Sequence, residues 1–322
     1  MAVTRNDVAR AAGVSPAVVS YVLNDGPRPV SAASRAKVLE AIARLGYTPD
    51  GMARYMKTGK TKSVGLVLPD IALPYFAEFT KAMSAAAYAI DHQLLIANTD
   101  WQVAQENRQI EALVQRRVDA MVLMSVDPLR DLAALAELDM PVVIVDRPGV
   151  AVRIGVEATE HLIAHGHRRV AIVMIDRDLV TSRRRMQGWT EAMERHGLPT
   201  EGLSFDAAPT RGGGHAAALE MLSSDTPPTA VFVESDAQAV GVLRAVADLR
   251  LEVPGDLAVF SSEGTELAEY SIPRLSTIRQ PTAQIARESL ELALAAEGPG
   301  LRRLTNEEYA LELRDSCGCG DA

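Results

Sequence analysis

The chain has 322 residues, of which 48% are hydrophobic and 23% are charged. This composition is typical of soluble globular proteins, and the length is more than a single hydrophobic core usually needs. No apolar run reaches the roughly 18 residues that span a bilayer, and the N-terminus lacks the basic-then-apolar pattern of a signal peptide, which argues against membrane-embedded and secreted proteins. We therefore expect a cytoplasmic protein of two or three structural units, without a membrane partner.

Charge is distributed unevenly along the chain. Residues 1–62 contain ten Lys and Arg against four Asp and Glu, a net charge of +6. Because the whole chain carries −9, the remaining residues carry −15. A small basic head on a larger acidic body indicates a polyanionic partner for the head alone.

The basic head is predicted to form three short helices. Thr4, with a carboxylate three positions later, is typical of a helix start, which predicts a helix over Arg5–Ala12. Gly13 permits a tight turn, and Ser15 caps a second helix over Pro16–Asn24. Ser31 likewise precedes a third helix over 32–45, which Gly46 ends. Two short helices joined by a glycine turn and packed on a third form a helix-turn-helix.

The second helix is neutral although it lies in the most basic segment of the chain. Its apolar residues are predicted to face inward, and Pro16, Ala17, Ser20 and Tyr21 share the opposite face. Base edges are read by hydrogen bonds and methyl contacts, whereas cationic side chains contact phosphates. We therefore predict that this outer face reads the major groove of double-stranded DNA. A small helical domain for protein contacts is the alternative.

Three stretches together resemble the LacI/GalR family of bacterial transcription regulators: DVARAAGVSPAVVSYVLN, VSAASRAKVLEAIARLGYTPDGMARYMKTGKT and VGLVLPD. The resemblance implies that residues 52–56 form a hinge helix in the minor groove, where Met56 takes the place of a leucine that wedges between base steps. Val18 and Tyr21 depart from the Thr and Arg that are frequent in the family, which affects the operator sequence. The predicted DNA contacts are Thr4, Ser15, Pro16, Ala17, Val18, Ser20, Tyr21, Asn24, Ser31, Ser34, Tyr47, Met52, Ala53, Arg54 and Met56.

The body has a different pattern, in which short apolar runs alternate with amphipathic stretches. Such runs are typical of buried parallel strands, and their number predicts two α/β lobes. The family resemblance agrees, because the body of its members resembles periplasmic sugar-binding proteins. The predicted organisation is a helix-turn-helix head over 1–48, a hinge helix and linker over 49–62, and a two-lobed effector-binding and dimerisation domain over 63–322. The predicted strands are 64–69, 94–98, 120–124, 142–146, 170–175, 230–234 and 257–260.

Polar and aromatic residues at the predicted strand ends indicate a ligand site in the crevice between the lobes. Carboxylates accept hydrogen bonds from ligand hydroxyls and an arginine donates in return, which suits a sugar or a related polyol or nucleoside. By resemblance, four of these positions correspond to family effector contacts: Phe76, Arg185, Asp236 and Glu263. The shortness of residues 147–154 indicates a trimmed strand or pocket wall. The predicted effector contacts are Tyr75, Phe76, Asp100, Ser125, Asp146, Arg185, Asp236 and Glu263.

Histidines and cysteines form two further motifs. His161 and His165 lie one helical turn apart, but the sequence shows no third ligand nearby, and we expect an ordinary helix end. Cys317 and Cys319 are separated by one glycine close to the C-terminus. Such a pair can bind a metal or form a strained disulfide, but we expect a solvated tail. We predict neither a metal nor a cofactor, and the sequence contains no recognisable catalytic motif.

The sequence thus predicts a ligand-responsive repressor that binds a pseudopalindromic operator as a homodimer, because so small a head reads only a half-site. A cytoplasmic solute-binding or sensor protein without operator binding is the main alternative. A sugar- or nucleoside-processing enzyme is a third possibility, against which stands the lack of a base–nucleophile pair.

Overall fold

The computed structural model describes residues 3–24, 28–48, 59–127, 130–295, 298–304 and 306–319. The chain divides into two compact units, Met1–Thr61 and Lys62–Ala322. In the part of the chain that the structure describes, no helix is both long enough and apolar enough to cross a membrane. The predicted hinge helix, with Met52, Ala53, Arg54 and Met56, lies outside the described residues.

Within its described residues, the N-terminal unit contains three helices: α1 (Arg5–Ala12), α2 (Pro16–Asn24) and α3 (Ala32–Leu45). The start of α1 is fixed by reciprocal hydrogen bonds, since the Asp7 amide donates to Thr4 Oγ1 at 3.3 Å and the Thr4 amide donates to Asp7 Oδ2 at 3.0 Å. The three helices and their bounds agree with the sequence prediction.

The core of the N-terminal unit is small and aliphatic. Val8, Val19 and Val38 are completely buried where the three helices meet. On α3, Ile42 and Leu45 are only partly buried, and the smaller Ala41 takes an interior position. A domain of this size buries little apolar surface, so its helix caps contribute a large share of its stability.

The C-terminal unit contains two sheets, and its strands alternate with helices along most of the chain. The strands are β1 (Ser63–Leu68), β2 (Gln93–Asn98), β3 (Ala120–Leu123), β4 (Pro141–Ile144), β5 (Val170–Met174), β6 (Ser204–Asp206), β7 (Ala230–Val233), β8 (Ala258–Ser261), β9 (Ser276–Arg279), β10 (Gly300–Arg303) and β11 (Ala310–Glu312). The helices are α4 (Pro74–Ala89), α5 (Val103–Gln115), α6 (Leu132–Ala136), α7 (Pro148–Ala164), α8 (Val180–Arg195), α9 (Arg211–Leu222), α10 (Asp236–Asp248), α11 (Glu266–Tyr270) and α12 (Thr282–Leu294), and a short 3₁₀ turn covers Asp315–Cys317.

Each sheet forms the centre of one lobe. The first has the order β10-β4-β3-β1-β2 with all pairs parallel, and the second has the order β11-β9-β8-β7-β5-β6, in which only the β11–β9 pair is antiparallel. This architecture confirms the predicted pair of α/β lobes. The sequence missed β6, β9, β10 and β11, because these three- and four-residue strands carry polar side chains and lack a continuous apolar run.

The chain passes between the lobes three times: after β4, after β9 and after β10. Helix α12 follows β9 of the second sheet but packs on α4 of the first lobe, with Ile285 and Leu290 in that lobe's core. Helix α7 belongs to the second lobe, where Ile154 is buried. The short segment 147–154 therefore contains no strand, because α7 begins at Pro148, directly after the first crossing.

Two glycines allow α7 and α8 to pack closely. A Cβ atom on Gly155 would lie 2.2 Å from the carbonyl oxygen of Arg185, and one on Gly188 would lie 2.1 Å from the carbonyl oxygen of Val152. Backbone atoms cannot yield as a flexible side chain can, so these positions exclude any larger residue at this spacing. The contact fixes the backbone of α8 where it carries Arg185.

We expect Gly188→Ala to lower the free energy of unfolding by about 1–3 kcal/mol, because the added methyl group forces α7 and α8 apart. Gly212→Ala is the matched control, since a Cβ atom there would meet nothing closer than Thr210 Oγ1 at 3.8 Å. The control should leave stability unchanged or raise it by up to about 1 kcal/mol. Urea unfolding of the two variants measures the difference, and equal stabilities would contradict the close-packing argument.

Candidate functional site

The outer face of α2 presents small and neutral side chains. Ser15, Pro16 and Ala17 are exposed, and Ser20 and Tyr21 are half-buried beside them. The structure thus brings these five predicted DNA contacts together at the start and middle of one helix. None of them carries a formal charge, so this face offers hydroxyl and methyl groups for reading base edges.

Other predicted DNA contacts have structural roles in the N-terminal unit. Val18 and Tyr47 pack against the core of the three helices, which directs them partly inward. Thr4 and Ser31 are N-caps of α1 and α3, and the amide of Ser34 donates to Ser31 Oγ at 3.2 Å. The side chain of Asn24 lies outside the described residues.

Among the described residues of the N-terminal unit, the basic side chains belong to segments other than α2. Exposed cations occur on α1 and α3 and in the segment between α2 and α3: Arg5, Arg10, Arg28, Arg35, Lys37 and Arg44. A neutral helix in a unit whose cations lie on its other segments is compatible with a division of labour between base contacts and phosphate contacts.

The C-terminal unit has a cavity of about 390 Å³ between its two lobes. It lies at the carboxyl ends of parallel strands from both sheets, where ligands bind in open α/β folds. The first lobe contributes Tyr75, Phe76, Trp101, Ser125 and Asp146, and the second contributes Arg185, Glu234 and Glu263. Six of the eight predicted effector contacts line this cavity: Tyr75, Phe76, Ser125, Asp146, Arg185 and Glu263.

Aromatic rings form one wall of the cavity. Tyr75 and Phe76 meet edge to face with centroids 5.3 Å apart, and Phe76 meets Trp101 in the same manner at 6.0 Å. Burial raises the pKa of Tyr75, so its hydroxyl keeps its proton at neutral pH. This wall offers a flat apolar surface for stacking and a phenol that donates a hydrogen bond.

Asp100, a predicted effector contact, is exposed and does not line the cavity. Its carboxylate accepts hydrogen bonds from the side chains of Asn98 and Gln105. The next residue takes the place in the cavity wall instead. Asp100 and Trp101 both have left-handed backbone conformations, with φ of 50° and 59°, which is rare for residues other than glycine. This turn directs the Trp101 indole into the cavity wall.

A buried ion pair forms the opposite wall. Arg185 Nη1 donates to Glu234 Oε1 at 2.7 Å, and their side chains are 9% and 1% exposed. The other oxygen of Glu234 accepts from the Ile175 amide at 2.8 Å and from Ser182 Oγ at 2.7 Å. Both oxygens of Glu234 are therefore occupied, one by Arg185 and the other by the Ile175 amide and Ser182. Glu234 is a site residue that was not predicted from the sequence. The signal in the sequence that could have identified Glu234 was its position at the end of a predicted strand, directly before Ser235 and Asp236.

Two buried donors in the cavity walls have no hydrogen-bond partner among the described residues. They are Arg185 Nε in the second lobe and Trp101 Nε1 in the first. A buried donor without an acceptor costs about 1–3 kcal/mol, and such groups in a cavity are typical of a site that a ligand completes. Both residues line the same cavity, one from each lobe.

Asp236 is a predicted effector contact that the structure directs away from the cavity. It is completely buried at the start of α10 and accepts from Ser261 Oγ at 2.6 Å, from the Thr265 amide at 2.6 Å and from Thr277 Oγ1 at 3.2 Å. These bonds hold the loop that follows β8. Asp236 therefore positions the neighbouring cavity residue Glu263, whose Oε2 accepts from the Asp236 amide at 3.0 Å.

Glu263 has an altered acidity. Burial raises the pKa of its carboxyl well above the ordinary value, and the nearby Asp236 carboxylate raises this pKa further. The Asp236 amide and Arg185 act in the opposite direction but are weaker. A protonated Glu263 offers a ligand one donor and one acceptor, which fits a hydroxyl group.

Arg147 connects all three crossings between the lobes. It follows β4 at the first crossing and donates through Nη2 to Gln280 Oε1 at 2.7 Å, at the second crossing. At the third crossing, Nη1 donates to Asn306 Oδ1 at 3.2 Å and to the Glu308 carbonyl at 3.0 Å. Arg147 also lines the cavity, where burial lowers its pKa. In the sequence, this segment is notable only for its shortness.

Ser125 and Asp146, two further predicted contacts in the cavity, are held by arginines and a buried acid. Ser125 Oγ donates to Glu106 Oε1 at 2.7 Å, and Glu106 also pairs with Arg130, another cavity residue that the sequence analysis missed. Asp146 accepts from Arg303 Nη1 at 3.1 Å. These contacts fix the two predicted side chains before any ligand binds.

We expect Glu263→Gln to stabilise the protein at pH 7–8, because it removes a carboxylate whose ionisation the fold opposes while keeping an acceptor for the Asp236 amide. The raised pKa means that the wild-type side chain supports folding most at low pH and loses that support as pH rises. The gain from Glu263→Gln should therefore shrink toward pH 4.5, as urea unfolding at several pH values would reveal. Glu201→Gln, at an exposed glutamate, controls for the lost charge. A gain that is constant with pH would rule out this explanation.

Comparison with known proteins gives consistent relatives for the whole chain. Residues 4–50 match the model of bacterial regulatory proteins of the lacI family, and residues 159–317 match the periplasmic binding protein-like domain. The ribose operon repressor of Escherichia coli K12 is 32% identical over 305 residues, which cover 90% of this chain and 92% of the repressor.

Two solved structures have the same fold. A lac repressor dimer bound to operator and the anti-inducer ONPF matches with a TM-score of 0.82 and 25% identity, over 98% of this chain and 99% of that one. A LacI family regulator from Lactobacillus casei with bound glucose matches with a TM-score of 0.70 and 25% identity, over 79% of this chain and 99% of that one. With a full-length relative above 30% identity and both parts of the chain matched, this protein belongs to the lacI family of bacterial regulatory proteins.

Proposed function

We propose that this chain is a transcriptional repressor that binds operator DNA as a homodimer and changes its DNA affinity when a sugar-like effector enters the cavity. The proposal of an effector is supported by two donors without a hydrogen-bond partner among the described residues, Arg185 Nε and Trp101 Nε1. Their residues line one cavity from the two lobes. A ligand that satisfies both contacts the two lobes at once and therefore favours one arrangement of the lobes over others.

The cavity suits a polyhydroxyl ligand. Its volume of about 390 Å³ is within the usual range for small-molecule sites. The aromatic wall of Tyr75, Phe76 and Trp101 can stack on the apolar face of a sugar ring or on a base. Arg185 and Glu263 supply the polar contacts that orient hydroxyl groups. The relatives support this class, since one is named for the ribose operon and another holds glucose.

The N-terminal unit is the proposed DNA-binding part. Residues 15–17 with Ser20 and Tyr21 would read the major groove, and the surrounding cations would contact phosphates. A three-helix unit covers one half-site, so a homodimer would bind a pseudopalindromic operator. Residues 49–62 are the proposed hinge and linker, through which Met56 would reach the minor groove.

The coupling between effector and DNA is proposed to pass through the three crossings. Arg147 lines the cavity, belongs to the first crossing and binds the other two, so a ligand that moves Arg147 also changes the contacts between the crossings. A small change in lobe angle alters the separation of the two linkers in a dimer. Ordering a short hinge helix is costly by itself, which makes it sensitive to such a change.

We expect Trp101→Phe to weaken effector binding about 2- to 10-fold, because it removes one hydrogen-bond donor and keeps most of the aromatic surface. A thermal-shift screen of monosaccharides, disaccharides, polyols and nucleosides would find a ligand, and calorimetry would give its affinity for each variant. Trp189→Phe is the matched control, since Trp189 Nε1 donates to the Val170 carbonyl in the core of the second lobe. Equal losses of affinity in the two variants would rule out the proposed contact.

We expect selection from a random DNA pool to enrich a pseudopalindrome, and binding to it should weaken steeply with salt because several phosphates are contacted. Ala17→Glu should reduce binding to the selected sequence by more than about tenfold, since a carboxylate on the reading face meets the DNA backbone and base acceptors. Ala43→Glu adds the same charge to an exposed site on α3 and should have a smaller effect. Enrichment of no sequence at moderate salt would contradict the operator proposal.

A further inference from the structure

Three nitrogen and sulfur ligands, from His161, Cys317 and Cys319, meet at the end of α7, away from the residues that line the cavity, and His165 lies beside Cys319. His161 Nε2 lies 3.2 Å from Cys317 Sγ and 3.6 Å from Cys319 Sγ, and His165 Nε2 lies 3.1 Å from Cys319 Sγ. The donor atoms of His161, Cys317 and Cys319 all lie within 4.8 Å of one another. The expectation of a solvated tail is therefore wrong, because Cys317 is 2% exposed and packs in the core of the second lobe.

The distances within this group of three agree with the geometry of a zinc site, in which His165 would take the fourth position. Zn²⁺ takes sulfur ligands at about 2.3 Å and imidazole nitrogen at about 2.0–2.1 Å, which places neighbouring ligand atoms about 3.5 Å apart. The three measured nitrogen–sulfur separations lie close to that value. His161 and His165 are spaced by four residues on one helix, so both imidazoles face the same side.

The surroundings hold the ligands in place. Ser276 Oγ lies 2.9 Å from Cys317 Sγ and anchors the buried cysteine to β9. The ring of Phe260 lies 5.3 Å from that of His161 and shields it from solvent. His165 and Cys319 lie at the accessible edge, which leaves an entry path.

We propose that His161, His165, Cys317 and Cys319 bind one Zn²⁺ per chain and thereby fasten the C-terminal segment to α7. Two thiolates with two imidazoles in a tetrahedral arrangement are a donor set that favours zinc. The thiol protons pass to solvent when the metal binds, and no redox step is involved. Since Cys317 and Cys319 are not joined to each other in the structure, both sulfurs are available as ligands.

The test begins with the full-length protein, freed of metal by a chelator and kept reduced. Titration with Co²⁺, a spectroscopic substitute for Zn²⁺, should give the intense visible bands of tetrahedral cobalt with thiolate ligands at one equivalent, and Zn²⁺ should abolish them. Zn²⁺ should also raise the melting temperature, because it binds only the folded arrangement.

Cys319→Ser and His165→Gln each remove one ligand at the accessible edge, where folding is least affected. Losing a residue that only binds a metal ligand weakens metal affinity roughly 10–100-fold. Each of these two variants loses a ligand itself, so its Zn²⁺ affinity should fall by more than that. His196→Gln, at an exposed histidine outside the cluster, should bind Co²⁺ and Zn²⁺ like the parent chain. Octahedral cobalt spectra, or Zn²⁺ affinity that is unchanged in Cys319→Ser, would overturn the proposal. DNA and sugar binding do not enter this test.

Discussion

The arrangement of the two lobes depends on one arginine. Arg147 stands at the first crossing of the chain and binds Gln280 at the second crossing and Asn306 and Glu308 at the third. Burial disfavours its charge, so the guanidinium keeps that charge only by satisfying several of its donors at once. All three crossings therefore share one set of hydrogen bonds at the wall of the cavity. Any ligand that engages Arg147 acts directly on the geometry between the lobes.

The buried carboxylates of the second lobe organise the cavity by holding the side chains and the loop that form its wall. Glu234 uses both oxygens to hold Arg185, Ser182 and the Ile175 amide, and Asp236 holds the loop that carries Glu263. The two acids thus fix the side chains that can meet a ligand. Such preorganisation reduces the ordering cost of binding, and it leaves Arg185 Nε as a donor that the protein itself does not satisfy.

Helix α7 links two sites with different chemistry. Its first turn follows Arg147 at the cavity, and its last turn carries His161 beside Cys317. With 17 residues the helix is about 25 Å long, so the two ends are separate sites on one rigid element. Gly155 and Gly188 hold this helix against α8, which carries Arg185. The proposed zinc would stabilise the same lobe that forms the arginine wall of the cavity.

The sequence by itself determined the three head helices, the two lobes built on parallel strands and six of the cavity residues. It did so because helix caps, apolar runs and strand ends are local patterns. Only the tertiary structure decided which polar groups face the cavity. Asp236 turns away because four hydroxyl and amide donors from three residues surround it. Trp101 takes the place expected of Asp100 through two left-handed residues. Arg147 and the His161–Cys317 contact also join segments more than 130 residues apart, and long-range contacts of this kind leave no periodic signal in the sequence.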